Sequence, residues 1–136
     1  MKNLILFKEI NGTGIIQLNR PKALNALNLQ MAEAFLKQLK KWQMDKNIQR
    51  VLLIGEGKAF CAGGDIKSMF LSSKVSNLKK NFLFKEYTLN YAISQFSKPY
   101  LSIWDGIVMG GGVGLSIYGN ARIASEKSRF AMPETG

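Results

Sequence analysis

Apolar residues recur with more than one period along this chain, and each change of period marks a change of predicted element. Residues 3–10, containing LILFKEI, and 14–19 (GIIQLN) are short β-rich runs. The paired glycines of Asn11-Gly12-Thr13-Gly14 between them predict a hairpin, so a β-meander opens the fold. From Leu24 the apolar positions Leu24, Leu27, Met31, Phe35, Leu39 and Trp42 repeat every three or four residues, with Lys37, Lys40 and Lys41 between them. That spacing predicts an amphipathic helix with Asn25 or Asn28 as N-cap. Residues 50–55 (RVLLIG) form a continuous apolar run, the pattern of a strand buried on both faces, and KAFCAGGDI after it reads as a loop.

A second helix is predicted over 77–96, where Leu78, Phe82, Leu89, Ile93 and Phe96 share one face before Lys98-Pro99 stops it. YLSIW then reads as a buried strand, DGIVMGGGVGLSIYG as a strand running into a glycine cluster and a short helix, and ARIA as a last strand. Strands alternating with helices imply α/β, with no internal sequence repeat and no low-complexity segment.

Composition narrows the chemistry. The 136 residues, 46% hydrophobic and 21% charged, make about one domain. Nineteen basic against nine acidic side chains leave +10, a field that attracts anions. The absence of histidine excludes Ser-His-Asp and Cys-His catalysis and the H-E-x-x-H metal site. A single cysteine excludes CxxC zinc or redox pairs and any intrachain disulfide. Carboxylates, backbone amides, Lys, Tyr or a bound cofactor must therefore do the work, and a metal site is not expected.

Leu4 to Phe7 is too short an apolar run for a signal peptide, and no stretch approaches the roughly 20 apolar residues of a membrane span. The expectation is a cytoplasmic protein without a membrane partner. The basic residues are dispersed, without an aromatic-interleaved stripe, so no nucleic-acid partner is expected.

Two segments have the makings of a site. Phe60-Cys61-Ala62-Gly63-Gly64-Asp65 and Gly110-Gly111-Gly112-Val113-Gly114 each follow an apolar strand and present backbone where side chains are small or absent. Glycine lets a main-chain N–H approach a ligand closely. Side by side, the two segments could aim two amides at one oxygen, and a helix starting at Gly111 or Gly112 would add its positive end. Such an oxyanion hole is worth roughly 3–4 kcal/mol per donor in the transition state. Glycine content alone equally describes a tight turn with close strand–helix packing. Nucleotide-binding motifs fail on spacing: Leu115 stands where G-x-G-x-x-G needs its last glycine, and Gly55-Glu56-Gly57-Lys58 lacks the rest of a P-loop.

Asn19-Arg20-Pro21-Lys22-Ala23-Leu24-Asn25-Ala26-Leu27, GKAFCAGGDIK, DGIVMGGGVGLS and FAMPET occur in the order and approximate spacing of the crotonase, or enoyl-CoA hydratase/isomerase, superfamily, which the chain resembles. FCAGGDI, KEYTLNYAI and KPYLSIWDGIVMGGGVGLSIYG together are most similar to its branch of 3-hydroxyacyl-CoA thioester hydrolases of valine breakdown.

The resemblance implies a spiral of repeated ββα units, cut short at residue 136, so that 1–136 is the N-terminal portion of one acyl-CoA-binding domain. It implies an acyl-CoA substrate and no cofactor beyond that coenzyme A; a part of the fold standing alone would expose unpaired sheet edges and an uncovered apolar face, so a homo-oligomer is expected. The resemblance places the thioester carbonyl between the N–H groups of Cys61, or its neighbour Ala62, and Gly111, with Gly63, Gly64, Asp65 and Gly110 around the substrate. Glu134 is the catalytic carboxylate, attacking to give a mixed anhydride or serving as base for water. Glu86 accepts a hydrogen bond from the acyl end or, alternatively, is a partly buried helix carboxylate paired with Lys85 or Lys80, and Arg20, Lys22 and Lys67 are candidates for the coenzyme A phosphates. Asp65 can alternatively cap a helix over 66–69.

Gly114 separates the branches. Hydratases of the superfamily generally carry a glutamate there, paired with the one at Glu134. One carboxylate plus an oxyanion hole suits acyl transfer, whereas hydration needs a paired acid and base. An enoyl-CoA hydratase or isomerase using Glu134 alone is the alternative. A non-catalytic basic binding fragment is a further one, since the superfamily's chains are longer and the hydrolase branch places an aspartate beyond the Pro-Glu-Thr motif.

Overall fold

The structure is a computed structural model that describes residues 3–65 and 75–132. β1 (Ile5–Ile10) and β2 (Thr13–Leu18) form the expected antiparallel hairpin. Asn11 and Gly12 both take positive φ, 48° and 79°, the turn whose twist matches that of the strands it joins. Only the hairpin is a meander. β3 (Arg50–Gly55) returns parallel to β2, with α1 (Leu29–Met44) as the crossover.

Asn28 is the N-cap of α1: its side chain accepts from Met31 N–H at 2.8 Å. Leu24 and Leu27, which fit the helical period, lie before the helix. A 3₁₀ turn at Pro21–Ala23 and left-handed backbone at Leu24 and Asn25 occupy that stretch instead. Met31, Ala32, Phe35, Leu36, Leu39 and Trp42 are buried along one face of α1, against Ile16, Leu18, Val51 and Leu53 of the sheet. Each such large side chain contributes about 1.5–3 kcal/mol. Gly14 is needed here for space, because a Cβ would meet the Trp42 ring at 2.6 Å.

The segment after β3 contains a strand that the pattern missed, β4 (Ala59–Cys61). α2 (Val75–Ser94) follows, burying Phe82, Leu89 and Ile93; the side chain of Leu78 lies outside the described residues. Phe96, beyond the helix, packs partly buried on the core. β5 (Tyr100–Trp104), β6 (Ile107–Met109), the four-residue α3 (Gly111–Gly114), β7 (Ala121–Ala124) and an unanticipated β8 (Arg129–Ala131) complete the described chain.

The strands sort into two sheets, ordered β1-β2-β3-β5-β7 and β4-β6-β8. Every pair after the hairpin is parallel. β3/β4, β5/β6 and β7/β8 each send their first strand to the large sheet and their second to the small one, a coil of ββ units with α2 and α3 after the first two. This geometric repeat has no sequence counterpart, because it lies in the backbone path and not in side-chain identity.

Candidate active site

The two glycine segments leave adjacent parallel strands, β4 and β6, and so emerge side by side. Contact is close: a Cβ added at Gly111 would lie 3.3 Å from Gly64 N and 3.3 Å from Gly63 C. One added at Gly63, whose φ is +113°, would lie 3.5 Å from Gly111 N. Among the described residues, neither the Gly64 nor the Gly111 N–H donates a hydrogen bond, and both residues keep some exposure.

The first segment is suspended from the chain before α1. Leu27 N–H donates to Gly63 O at 2.7 Å, Asp65 N–H to Leu27 O at 2.9 Å, and Ala62 N–H to Leu24 O at 3.0 Å. Behind these bonds stands Asn25, fully buried at a φ of 57°. Its Nδ2 donates to Glu56 O at 2.9 Å and Ala59 O at 2.8 Å, and its Oδ1 accepts from Arg20 N–H at 2.7 Å. Asparagine is the non-glycine residue best able to pair a left-handed backbone with local hydrogen bonding.

These bonds revise three of the residue assignments. Ala62 N–H is taken by Leu24 O, so it is not an oxyanion donor. Cys61 has no exposed surface and its carbonyl presses on Gly112, so its amide is out of a ligand's reach as well. Its thiol donates to Gly63 O at 3.7 Å, and burial pushes it up to about 12, the hydrogen bond opposing and the nearby Glu86 charge adding to that rise. Across the two segments, the Gly64 and Gly111 amides form an adjacent pair that remains open to a ligand. Arg20 is not a free phosphate binder: its guanidinium pairs with Asp65 Oδ2 at 2.7 Å and donates to Ala26 O at 3.0 Å. Lys22 is exposed; Lys67 and the proposed cap of Asp65 on residues 66–69 lie outside the described residues.

α2 supplies the polar side of the cleft. Glu86 reaches the glycine helix, where a Gly111 Cβ would stand 2.8 Å from its Oε1. Burial raises its carboxyl above the ordinary value, and among the described residues it forms no ion pair with Lys80 or Lys85. One turn along, Asn90 faces Gly114, where a Cβ would stand 2.8 Å from its Nδ2. Pattern reading missed Asn90, although its position four residues after Glu86 on a helix was signal enough.

α3 is held by packing. A Gly112 Cβ would lie 3.0 Å from Cys61 Cβ and closer still to Cys61 O. Ser116 Oγ donates to Gly112 O at 2.9 Å and accepts from Trp104 Nε1 at 3.0 Å, and the Tyr100 hydroxyl donates to Leu115 O at 2.7 Å. With four residues, α3 brings little of the dipole expected of a helix. Glu134 lies outside the described residues.

A coiled ββα fold whose glycine amides and helix-borne carboxyl share one cleft defines the class of protein. The enoyl-CoA hydratase/isomerase family profile matches residues 13–136, and the chain belongs to that family. It is 55% identical to the mitochondrial 3-hydroxyisobutyryl-CoA hydrolase of Xenopus laevis over 96% of this chain and 34% of that protein. It is 51% identical to the enzyme of that name from Danio rerio, over 97% and 35%. Among solved structures, a carnitinyl-CoA dehydratase from Mycobacterium thermoresistibile superposes with a TM-score of 0.93 at 41% identity, covering 98% of this chain and 40% of that one. An enoyl-CoA hydratase from Rhodobacter sphaeroides gives 0.90 at 37%, covering 97% and 40%.

The chain spans about a third of the length of the curated relatives it matches. The expected cytoplasmic location is overturned by these relatives, which are named as mitochondrial enzymes. That expectation rested on the first residues of the sequence, which carry no information about a leader in a chain covering so little of its relatives.

Proposed function

We propose that the chain carries the first part of the site of an acyl-CoA thioester hydrolase acting on 3-hydroxyisobutyryl-CoA or a close analogue. The observation that carries this reading is the pair of adjacent, unengaged amides at Gly64 and Gly111 beside Glu86, with no carboxylate at position 114. The thioester oxygen accepts from both N–H groups, so charge developing on it is met by donors already in place. Glu134 supplies the carboxylate. Either it attacks the carbonyl and water then hydrolyses the mixed anhydride, or it draws a proton from the water that attacks the carbonyl carbon. On both routes the C–S bond breaks, the coenzyme A thiolate leaves and takes up a proton, and the free acid is released. Glu86 lines the acyl end. Lys22 and Lys67 meet the phosphates of the ligand, Gly63, Asp65 and Gly110 shape the cleft, and no cofactor takes part. Self-association accompanies this reading, because Ile117, Tyr118, Ile123, Phe130 and Met132 are exposed beyond α3.

Thiol release from 3-hydroxyisobutyryl-CoA by the complete protein, with crotonyl-CoA in parallel, tests the proposal. Release that Glu134→Gln abolishes while acyl-CoA binding persists is the expected result. Loss of the crotonyl-CoA double bond without thiol release would establish the hydratase reading instead.

A further inference from the structure

Asn90 is a polar side chain that the reaction above does not use. Its Oδ1 is buried without a donor from any described residue, a state that costs about 1–3 kcal/mol in a folded protein. It is not in a random place. Glu86 and Asn90, four residues apart on α2, stand against Gly111 and Gly114, three residues apart on α3. Two rungs of contact therefore join α2 to the glycine helix, one at each end. The Glu86 rung is level with the Gly111 amide and the Asn90 rung about 4.5 Å further on, the rise of three helical residues. Asn90 also lines a groove of about 360 Å³ with Tyr87, Tyr91, Ser94 and Tyr118.

We propose that the Asn90 carboxamide binds the hydroxyl of the acyl group and sets the preference for hydroxylated thioesters. The inference rests on the acyl-CoA reading above. With the thioester oxygen on the Gly64 and Gly111 amides, the acyl chain runs along the glycine face. The oxygen on its third carbon then comes level with Gly114, where Oδ1 accepts from the hydroxyl and Nδ2 can donate to it. Glycine at 114 is part of the device, because a side chain there would displace the carboxamide. Glu86, a turn earlier, lines the part of the acyl group next to the thioester.

The test compares 3-hydroxyisobutyryl-CoA with isobutyryl-CoA, which differ only by the hydroxyl, binding by calorimetry to the complete protein in its Glu134→Gln form, which does not turn them over. That form, otherwise unsubstituted, is the reference for the variants below. The unsubstituted protein is expected to prefer the hydroxylated ligand about tenfold, the worth of one well-placed hydrogen bond. Asn90→Leu, which keeps the volume against Gly114, is expected to erase that preference by weakening the hydroxylated ligand alone, and Asn90→Ala to do the same. Asn90→Asp keeps the acceptor and most of the preference.

A preference that survives in both Asn90→Leu and Asn90→Ala, or that Glu86→Gln removes and these do not, would overturn the proposal. So would equal weakening of both ligands, or an unsubstituted protein that binds both alike. If neither thioester binds the unsubstituted protein, the acyl-CoA reading itself falls, and this inference falls with it.

Discussion

The two glycine segments that meet at the site are held by opposite means. The 61–65 segment is tied by polar bonds to the chain before α1, through the Arg20–Asp65 pair and the main chain of Leu24 and Leu27, with Asn25 bracing Glu56 and Ala59 just ahead of it. The 110–114 segment is fixed by contact, its glycines seated on Cys61, Glu86 and Asn90 with no space for a methyl group. One is breakable by removing an atom and the other by adding one. An oxyanion site needs both amides at once, so damage of either kind should silence it.

The largest effect is expected from Gly112→Ala. Its new Cβ would meet the Cys61 carbonyl, which is main chain and cannot swing aside, so thermal unfolding should show a loss of about 3 kcal/mol or more. Cys61 reports the same event chemically. At about pH 8.5, where an ordinary thiol is half ionised, iodoacetamide should leave Cys61 of the folded protein unmodified and label it once the segments part. Fast labelling of the native protein would contradict the tight junction.

Asn25→Ala comes next, at about 2–3 kcal/mol, because it strands the Glu56 and Ala59 carbonyls and puts Ala in left-handed backbone. Asn25→Gly removes the bonds without the strain, so denaturant unfolding should place it about 1 kcal/mol above Asn25→Ala. Equal losses in the two variants would show that the backbone conformation is not what asparagine supports there.

The smallest effect is a pH dependence at Glu86. Burial raises its carboxyl in the folded state, so the folded protein holds the proton more firmly. That contribution is present below the ordinary carboxylate range and lost as pH rises through it towards the raised folded value. Glu86→Gln mimics the protonated form. Melting temperatures should coincide with those of the unsubstituted protein in acid and favour the variant at neutral pH; a neutral-pH penalty would reverse the argument.

Much of this was legible in the residues. The hairpin, both long helices and the strands RVLLIG, YLSIW and ARIA follow from periodicity, because their apolar faces are continuous. β4 and β8 were not, being three-residue strands whose pairing comes from neighbours distant in sequence. The helical period of Leu24 and Leu27 misled because tertiary contacts override it: Asn25 is held in left-handed backbone by bonds to residues far along the chain. The two glycine segments singled out in the sequence do lie side by side in the fold, while which amides stay open did not follow from sequence. Which N–H stays open depends on the bond that Ala62 makes to Leu24 and on the burial of Cys61, facts of packing without a local signature.

The central claim is that the Gly64 and Gly111 amides receive a thioester carbonyl. Its most direct test is the isotope-edited infrared spectrum of 3-hydroxyisobutyryl-CoA, ¹³C-labelled at the thioester carbon and bound to the Glu134→Gln form of the complete protein. Two donors on the oxygen weaken the C=O bond, so the account predicts a carbonyl stretch shifted to lower frequency than in water. A bound ligand whose stretch matches or exceeds its value in water would contradict it.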